Sequence, residues 1–382
     1  MSENDLVDNL GGVVVIKISN ELEEKEKKIR GLLKKEGLDA VALFNLSNFF
    51  WITGGADCHV VNATDKGFAA AVITKDEKHV VTSNIEADRI MTEELGGKGY
   101  QMTSFNWHEK NLAQAVQELT EGMSVGSDAA MPGMKLVEDE LCNLRLTLTP
   151  DEVARLRKLA GETSKCMEIT CSGIKQGDTE HFIASKLSSE LLQRSITPSV
   201  VLVGTDERIF KYRHPIPTNK RVEKYAMVVV VAQRGGLHAA LTRCVYLGPL
   251  PQEIKLKHEA VTKVDAAFIL NTKPGLEACQ VLKKGIQAYA EVGFPDEWRL
   301  HHQGGTIGYQ SREYVATLDT HQIIEVNQAF AWNPSITGAK SEDTILVTGD
   351  KPEILTEGID WPMMVVTIEG QKISRPDILV RI

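Results

Sequence analysis

The sequence predicts an α/β domain over residues 1–147 followed by an α+β domain over 148–382. Three observations carry this. Strand-like and helix-like stretches alternate through the first third. Leu146-Thr-Leu-Thr-Pro-Asp-Glu152 then gives the sharpest boundary signal in the chain: Thr149 suits a helix N-cap, Pro150 the first helical position, and Asp151 and Glu152 the positive helix end. Beyond it, long helical stretches are interleaved with strand-rich segments. At 382 residues the chain is long enough for two full cores.

In the first domain, residues 13–18 read as a short edge strand. Residues 21–36 read as an amphipathic helix with Ile29, Leu32 and Leu33 on one face, closed by Gly37. A strand follows at 39–44, then a polar turn and the aromatic run Phe49-Phe50-Trp51. Strands are expected at 68–73 and 79–83, and helices near 85–95 and 109–119, around one central sheet.

In the second domain a helix runs from Pro150 to about Gly173. Asp178 or Thr179 caps another, reaching Arg194. A strand at 199–203 and the loop Arg213-His-Pro-Ile-Pro-Thr218 precede a hairpin over 225–248. Its first strand, 227–232, is a continuous apolar β-branched run, as in a strand buried on both faces. Arg234-Gly235-Gly236 supplies the turn, where glycine accepts positive φ. Helices at 253–271 and 277–292 follow, then strands at 328–332, 343–348, 352–355 and 363–368. The expected arrangement is an antiparallel sheet with helices on its outer face.

The net charge of −9 argues against nucleic acid as a partner, because phosphate binding needs a basic face. No apolar run approaches the roughly 20 residues of a membrane span. The start MSENDLVDNLGG lacks the pattern of a secretory signal. The six cysteines are scattered, with no CxxC, as in a reduced cytoplasmic protein without a disulfide or zinc framework.

Several segments resemble, in order, the creatinase, prolidase and aminopeptidase P superfamily. In the first half they are Ile29-Arg-Gly-Leu-Leu-Lys-Lys-Glu-Gly-Leu-Asp-Ala-Val41 and Asn48-Phe-Phe-Trp-Ile-Thr-Gly54. In the second they are Thr149-Pro-Asp-Glu, Gly177-Asp-Thr-Glu, His214-Pro, Thr242-Arg243, Lys273-Pro-Gly275, His302 with Gly304-Gly305, Asn333-Pro334 and Ser341-Glu-Asp-Thr344. The resemblance spans nearly the whole chain. It implies a creatinase-like N-terminal domain, a "pita-bread" C-terminal domain and a homodimer. It also implies a site in which two Asp, one His and two Glu hold two divalent ions, because a pair of hard cations about 3.5–4 Å apart needs bridging carboxylates.

Here that implied site is depleted. No Asp or Glu lies between Lys224 and Gln252. Anchored on Thr242-Arg243, the second Asp of the family falls on Ala240 and the first on the stretch 229–232. The first Glu falls on Asn333. Only His302, or its neighbour His301, and Glu342 remain. No metal is therefore expected at the usual place, although a mononuclear site rebuilt from His214, His238, His302 and Glu342 stays open.

The residues left suggest other chemistry. The resemblance places His214 where relatives contact substrate, and creatinase itself uses the corresponding His as an acid/base group without metal. His302 is a second acid/base or donor candidate, and Glu342 a general base or a partner for His302. Arg312 is suited to clamping a carboxylate through its planar fork. Tyr309, His238 and Asn333 complete the substrate-contacting set. The favoured reading is a metal-independent hydrolase of a C–N bond in a small polar or carboxylate-bearing substrate. The alternatives are a non-catalytic binder of a peptide or small ligand, and a metal-dependent Xaa-Pro dipeptidase or aminopeptidase.

Overall fold

The structure, a computed structural model, describes residues 20–382, so the expected strand at 13–18 lies outside the described residues. The chain divides into two compact units, Met1–Leu141 and Cys142–Ile382. The division falls before the expected residue 147. Residues 142–147 join the second unit because Arg145 pairs with Glu313 there (2.8 Å) and Thr147 Oγ1 donates to Glu325 (2.8 Å).

The first unit is built on one six-stranded mixed sheet. Its strands are β1 (Ala40–Asn45), β2 (Lys66–Thr74), β3 (Lys78–Ser83), β4 (Gln101–Phe105), β5 (Val125–Ser127) and β6 (Lys135–Leu136), in the order β4-β3-β2-β1-β5-β6. Helix α1 (Asn20–Glu36) buries Ile29, Leu32 and Leu33, and Gly37 leaves it at φ 67°, as the periodicity and the glycine imply. The expected polar turn after β1 is instead a helix, α2 (Leu46–Thr53). Phe49, Phe50, Trp51 and Ile52 are all buried on it. Its Asn45 cap makes no side-chain bond, so tertiary burial rather than a local signal holds this helix. The expected helix at 85–95 is a short turn, α3 (Ala87–Arg89), running into a π-helical turn, Ile90–Glu94. Helix α4 (Leu112–Leu119) starts behind a capping box formed by Asn111 and Gln114.

The second unit begins in helix α5 (Glu138–Arg145), which crosses the division, and continues into α6 (Pro150–Ser172) and α7 (Glu180–Leu192). Thr149 and Glu152 form the capping box that the sequence announces, and Thr179 caps α7. Strands β7 (Thr197–Thr205), β8 (Tyr225–Arg234) and β9 (Leu237–Leu247) form one sheet, with the short helix α8 (Glu207–Lys211) between β7 and β8. The hairpin β8–β9 is a continuous antiparallel ladder, and Gly235 and Gly236 both take positive φ at its turn. Helices α9 (Gln252–Asn271) and α10 (Ala278–Glu291) come next.

Then follow β10 (Gly304–Ile307), β11 (Tyr314–Val315), β12 (Ala329–Trp332), β13 (Ser335–Ile336), β14 (Ala339–Lys340), β15 (Asp343–Leu346), β16 (Glu353–Ile354), β17 (Met363–Ile368), β18 (Gln371–Pro376) and β19 (Leu379–Arg381). The single antiparallel sheet of the expectation is two main sheets, β11-β10-β12-β15-β16 and β19-β9-β8-β7, and β19 joins the second in parallel. The hairpins β13–β14 and β17–β18 stand apart. Phe268 of α9 stacks on Trp332 (4.7 Å), which stacks on Phe330 (5.6 Å), joining helix to sheet.

Beneath β15 lies a buried ion network. Arg375 binds Asp265 and Asp343 (2.7 Å to the latter), Arg243 binds Asp343 (2.9 Å), and Ser341 Oγ donates to Asp265 (2.5 Å). All four charged groups are fully buried, so removing Arg375 leaves Asp265 without a cation and Asp343 with Arg243 alone. Arg375→Met is therefore expected to cost about 3–5 kcal/mol of unfolding free energy, read by urea denaturation. A loss below about 1 kcal/mol, the range of a surface pair, would show that the network is not desolvated as described.

Candidate functional site

Two loops and one strand end bring a cluster of polar side chains together in the second unit. The first loop, 205–218, carries His214. Glu180 at the start of α7 ties both of its ends. Its fully buried carboxylate accepts from Thr205 N and Oγ1 (2.9 and 3.0 Å), from Thr218 N and Oγ1 (2.9 and 2.7 Å), and from Arg208. Next to His214, Arg213 reaches Ser335 Oγ (3.2 Å), Thr337 Oγ1 (2.9 Å) and Glu297. Prolines on the other side limit the backbone further.

The second loop follows the 3₁₀ turn Glu297–Leu300 and carries His301 and His302. Gln303 fixes it by donating to Trp298 O (3.1 Å) and His301 O (2.6 Å) while accepting from Tyr289 Oη (2.8 Å). Gly304 and Gly305 then enter β10, where a Cβ at either would strike a neighbouring backbone carbonyl, of Ala331 or Tyr314. The glycines are required by close strand packing and do not mark an approach path for ligand.

Three imidazoles meet where the loops converge. His214 Nε2 and His301 Nε2 are 2.9 Å apart, one donating and one accepting. His301 and His302 stack with centroids 4.4 Å apart. Burial, together with the Lys340 charge and the adjacent imidazoles, pulls His301 down to about 3. Burial, with Arg312, His214 and Lys340, pulls His302 down to about 4. His214 is lowered for the same first reason and by Lys340, against an opposing pull from Glu342. All three rings are neutral at pH 7.

Glu342 forms the other wall. Its Oε2 accepts from Thr242 Oγ1 (2.7 Å) and pairs with Lys340 Nζ (2.9 Å), while Oε1 pairs with Arg312 (3.2 Å). Burial favours the neutral acid, but Lys340 and Arg312 overcome it and hold Glu342 at about 2. The expected general base at Glu342 is thus corrected. A carboxylate held so low, with both oxygens engaged, is a counter-ion, and its partners are Lys340 and Arg312 rather than His302. Two cations against one anion leave this wall with one net positive charge.

Arg312 stands on a loop held by Glu313, whose Oε1 accepts from Tyr309 N (2.8 Å) and Gln310 N (3.2 Å) and whose Oε2 meets Arg145. Three buried polar atoms of the region have no protein partner among the described residues: Arg312 Nε, His301 Nδ1 and Asn333 Oδ1.

The structure brings together His214, His302, Glu342 and Arg312 from the expected set. It gives the others different surroundings. The Tyr309 hydroxyl donates to Glu152 Oε1 (2.6 Å) in the α6 cap, and its side chain is buried, so the residue has a structural role where a substrate contact was expected. His238 directs both its backbone N and its Nδ1 at Gly308 O (2.9 and 3.1 Å), bracing the Arg312 loop. Burial pulls it down to about 4. Asn333 is buried and donates its backbone N to Gln303 O (3.1 Å). Lys340 is the functional residue the sequence reading missed. Its signal was the spacing Lys340-Ser341-Glu342, which puts cation and carboxylate on one face of an extended chain.

A carboxylate-bridged pair of divalent ions does not fit these donors. The β8–β9 register sets Val229 opposite Thr242 and Val231 opposite Ala240, so hydrocarbon stands at the positions read as the lost acids. Asn333 offers a neutral amide, and Glu342 is already occupied by protein cations.

The chain matches two family models: metallopeptidase family M24 over residues 154–349 and the creatinase/prolidase N-terminal domain over 26–159. It is 22% identical to an uncharacterized peptidase of Staphylococcus epidermidis, covering 87% of this chain and 99% of that one. Among solved structures it resembles the prolidase of Pyrococcus horikoshii (TM-score 0.76, 20% identity, 88% of this chain and 99% of that one). It also resembles an Xaa-Pro dipeptidase of Bacillus anthracis (TM-score 0.75, 17% identity, 94% and 100%). With its creatinase-like first domain and its pita-bread second domain, the chain belongs to metallopeptidase family M24.

Proposed function

We propose that this pocket hydrolyses a C–N bond in a small carboxylate-bearing substrate, with protein side chains in the place relatives give to metal ions. The observation that carries the reading is the pairing of Glu342 with Lys340 and Arg312 beside the neutral His214–His301 couple. A positive wall recognises a carboxylate, and Arg312 has a buried Nε–H to give it. His214, an exposed imidazole, takes a proton from water. The water oxygen bonds to the substrate carbon, the C–N bond breaks, and the same proton passes to the departing nitrogen. His301 orients the His214 ring through the 2.9 Å bond.

A second reading is favoured by one specific observation. His301 and His302, held at about 3 and 4, are weak bases, and Glu342 is weaker still. A pocket whose acid/base groups are this weak suits a ligand-binding protein of the same fold, and this reading is an outcome of the same test.

The test uses chelator-treated protein against N-acyl amino acids, amidino acids and Xaa-Pro dipeptides, with amine release as readout. Turnover is expected without added metal. His214→Ala should lower kcat/KM by ~100-fold or more, the usual worth of a proton-transfer group. Arg312→Met should act mainly on KM. No turnover, with ligands that only raise the melting temperature, would establish the binder. Turnover that needs added manganese or cobalt would restore the metal-dependent peptidase.

The acid limb of the pH profile is a separate expectation. His214 works only when neutral, and its pKa is lowered below the ordinary 6.5. Activity should therefore stay level as pH falls to 6.5 and be lost only below it. A limb at or above 6.5 would remove His214 from the role.

A further inference from the structure

A second cluster in the same unit lies at the start of α10 and shares no residue with the pocket. Glu277, Cys279 and His321 converge there, with one donor atom each within 4.8 Å of the others. Cys279 Sγ is 3.2 Å from Glu277 Oε2, His321 Nδ1 is 2.9 Å from the same oxygen, and Sγ and Nδ1 are 3.9 Å apart. A tetrahedral zinc-class ion with bonds of about 2.3 Å to sulfur and 2.0 Å to nitrogen or oxygen sets S···N and S···O edges at about 3.5 Å and an N···O edge at about 3.3 Å. The three separations lie within about 0.4 Å of that triangle.

The backbone holds this triangle from two segments distant in sequence. Ala278 N donates to Gln322 O (3.0 Å), Cys279 N to Thr320 O (2.9 Å), and Glu277 bridges Ile323. Gln280 Oε1 takes the Glu277 N–H (2.9 Å), and Thr320 Oγ1 takes that of Thr317 (2.8 Å). Each ligand thus sits on main chain that is already fixed, so little ordering remains to be done when an ion arrives.

We propose that Glu277, Cys279 and His321 form a three-ligand site for a thiophilic divalent cation of the zinc class, with solvent at the fourth corner. One thiolate and one carboxylate neutralise the ion's two charges, and the imidazole adds no charge. Binding displaces the Cys279 thiol proton to solvent, and no other bond changes. Sulfur as a ligand selects against magnesium and calcium, and one carboxylate is too few for either. Cys279 is buried, and the His321 and Glu277 side chains beside it are 68% and 35% exposed, so the ion arrives from their side. The pocket, by contrast, sets Lys340 and Arg312 against any cation that its three imidazoles attract. A bound ion would clip the start of α10 to the segment 317–324, which carries Thr320 and His321.

The experiment is a cobalt(II) titration of the full chelator-treated chain, followed by absorption. One cobalt per chain is expected, with a sulfur-to-cobalt charge-transfer band in the near ultraviolet and tetrahedral visible bands. Cys279→Ser should abolish the charge-transfer band. His321→Ala, at an exposed position that leaves folding intact, should weaken binding at least tenfold. His214→Ala should leave the titration unchanged, which separates this site from the pocket and its fate from that of the proposed hydrolysis. No band, a band that survives Cys279→Ser, saturation only at millimolar cobalt, or a signal lost with His214→Ala would each overturn the proposal.

Discussion

Two adjacent carboxylates at the start of β15 set the rest of the second unit. Along an extended chain, successive side chains point to opposite faces. Glu342 turns to the pocket with Lys340, while Asp343 turns inward with Ser341. Neither anion is in contact with solvent, so each must be neutralised by the protein. Asp343 is met by Arg243 and Arg375, and Glu342 by Lys340 and Arg312. The inner set fixes the strand's position against α9 through Asp265. The outer set fixes the charge of the pocket.

That charge decides what the pocket can do. A carboxylate held at about 2 neither takes protons nor offers a lone pair freely to a metal ion. Lys340 lowers all three imidazoles and Arg312 lowers His214 and His302, with burial as the larger cause, so the histidines are neutral donors and acceptors rather than cations. The Glu180 clamp on one loop and the Gln303 clamp on the other hold the His214–His301 bond. A site assembled from rigidly held neutral imidazoles beside a positive wall favours an anion at one end and a proton acceptor at the other.

Much of this was legible before the structure. The Thr149 cap, the double-glycine hairpin and the long helices announce themselves in local chemistry, and each stands where the sequence puts it. The helix Leu46–Thr53 was not legible, because its cap makes no bond and its residues are helical only in the company of the β-sheet that buries them. His214 and Glu342 were reached through motif order and Arg312 through the chemistry of its fork, yet the role of Glu342 was misjudged. Its pKa depends on Lys340, which is near in sequence, and on Arg312, 30 residues away, and only folding shows both on the same carboxylate. Tyr309 was misread because its neighbour Glu152 is 157 residues distant. The Cys279 cluster escaped for the same kind of reason. Without a CxxC pair, a cysteine and a histidine 42 residues apart carry no spacing signal.

The acid-free hairpin and the lysine beside Glu342 are best understood as one arrangement. Suppose Val229, Val231 and Ala240 stood as they do and Lys340 were apolar. Glu342 would keep Thr242 and Arg312 but lose the charge closest to it in effect, since Lys340 contributes the largest favourable interaction. Stranding a buried charge in part costs several kcal/mol. Conversely, a pair of divalent ions beside Lys340 and Arg312 would meet two fixed positive charges at hydrogen-bonding range of the one available carboxylate. Interactions of that kind are strong where water is excluded. The hydrocarbon on β8 and β9 and the cations on Glu342 are therefore compatible with each other, and neither leaves room for a bridged ion pair. Lys340 and Arg312 thus supply the positive charge that Glu342 requires, on a wall where β8 and β9 place no acid.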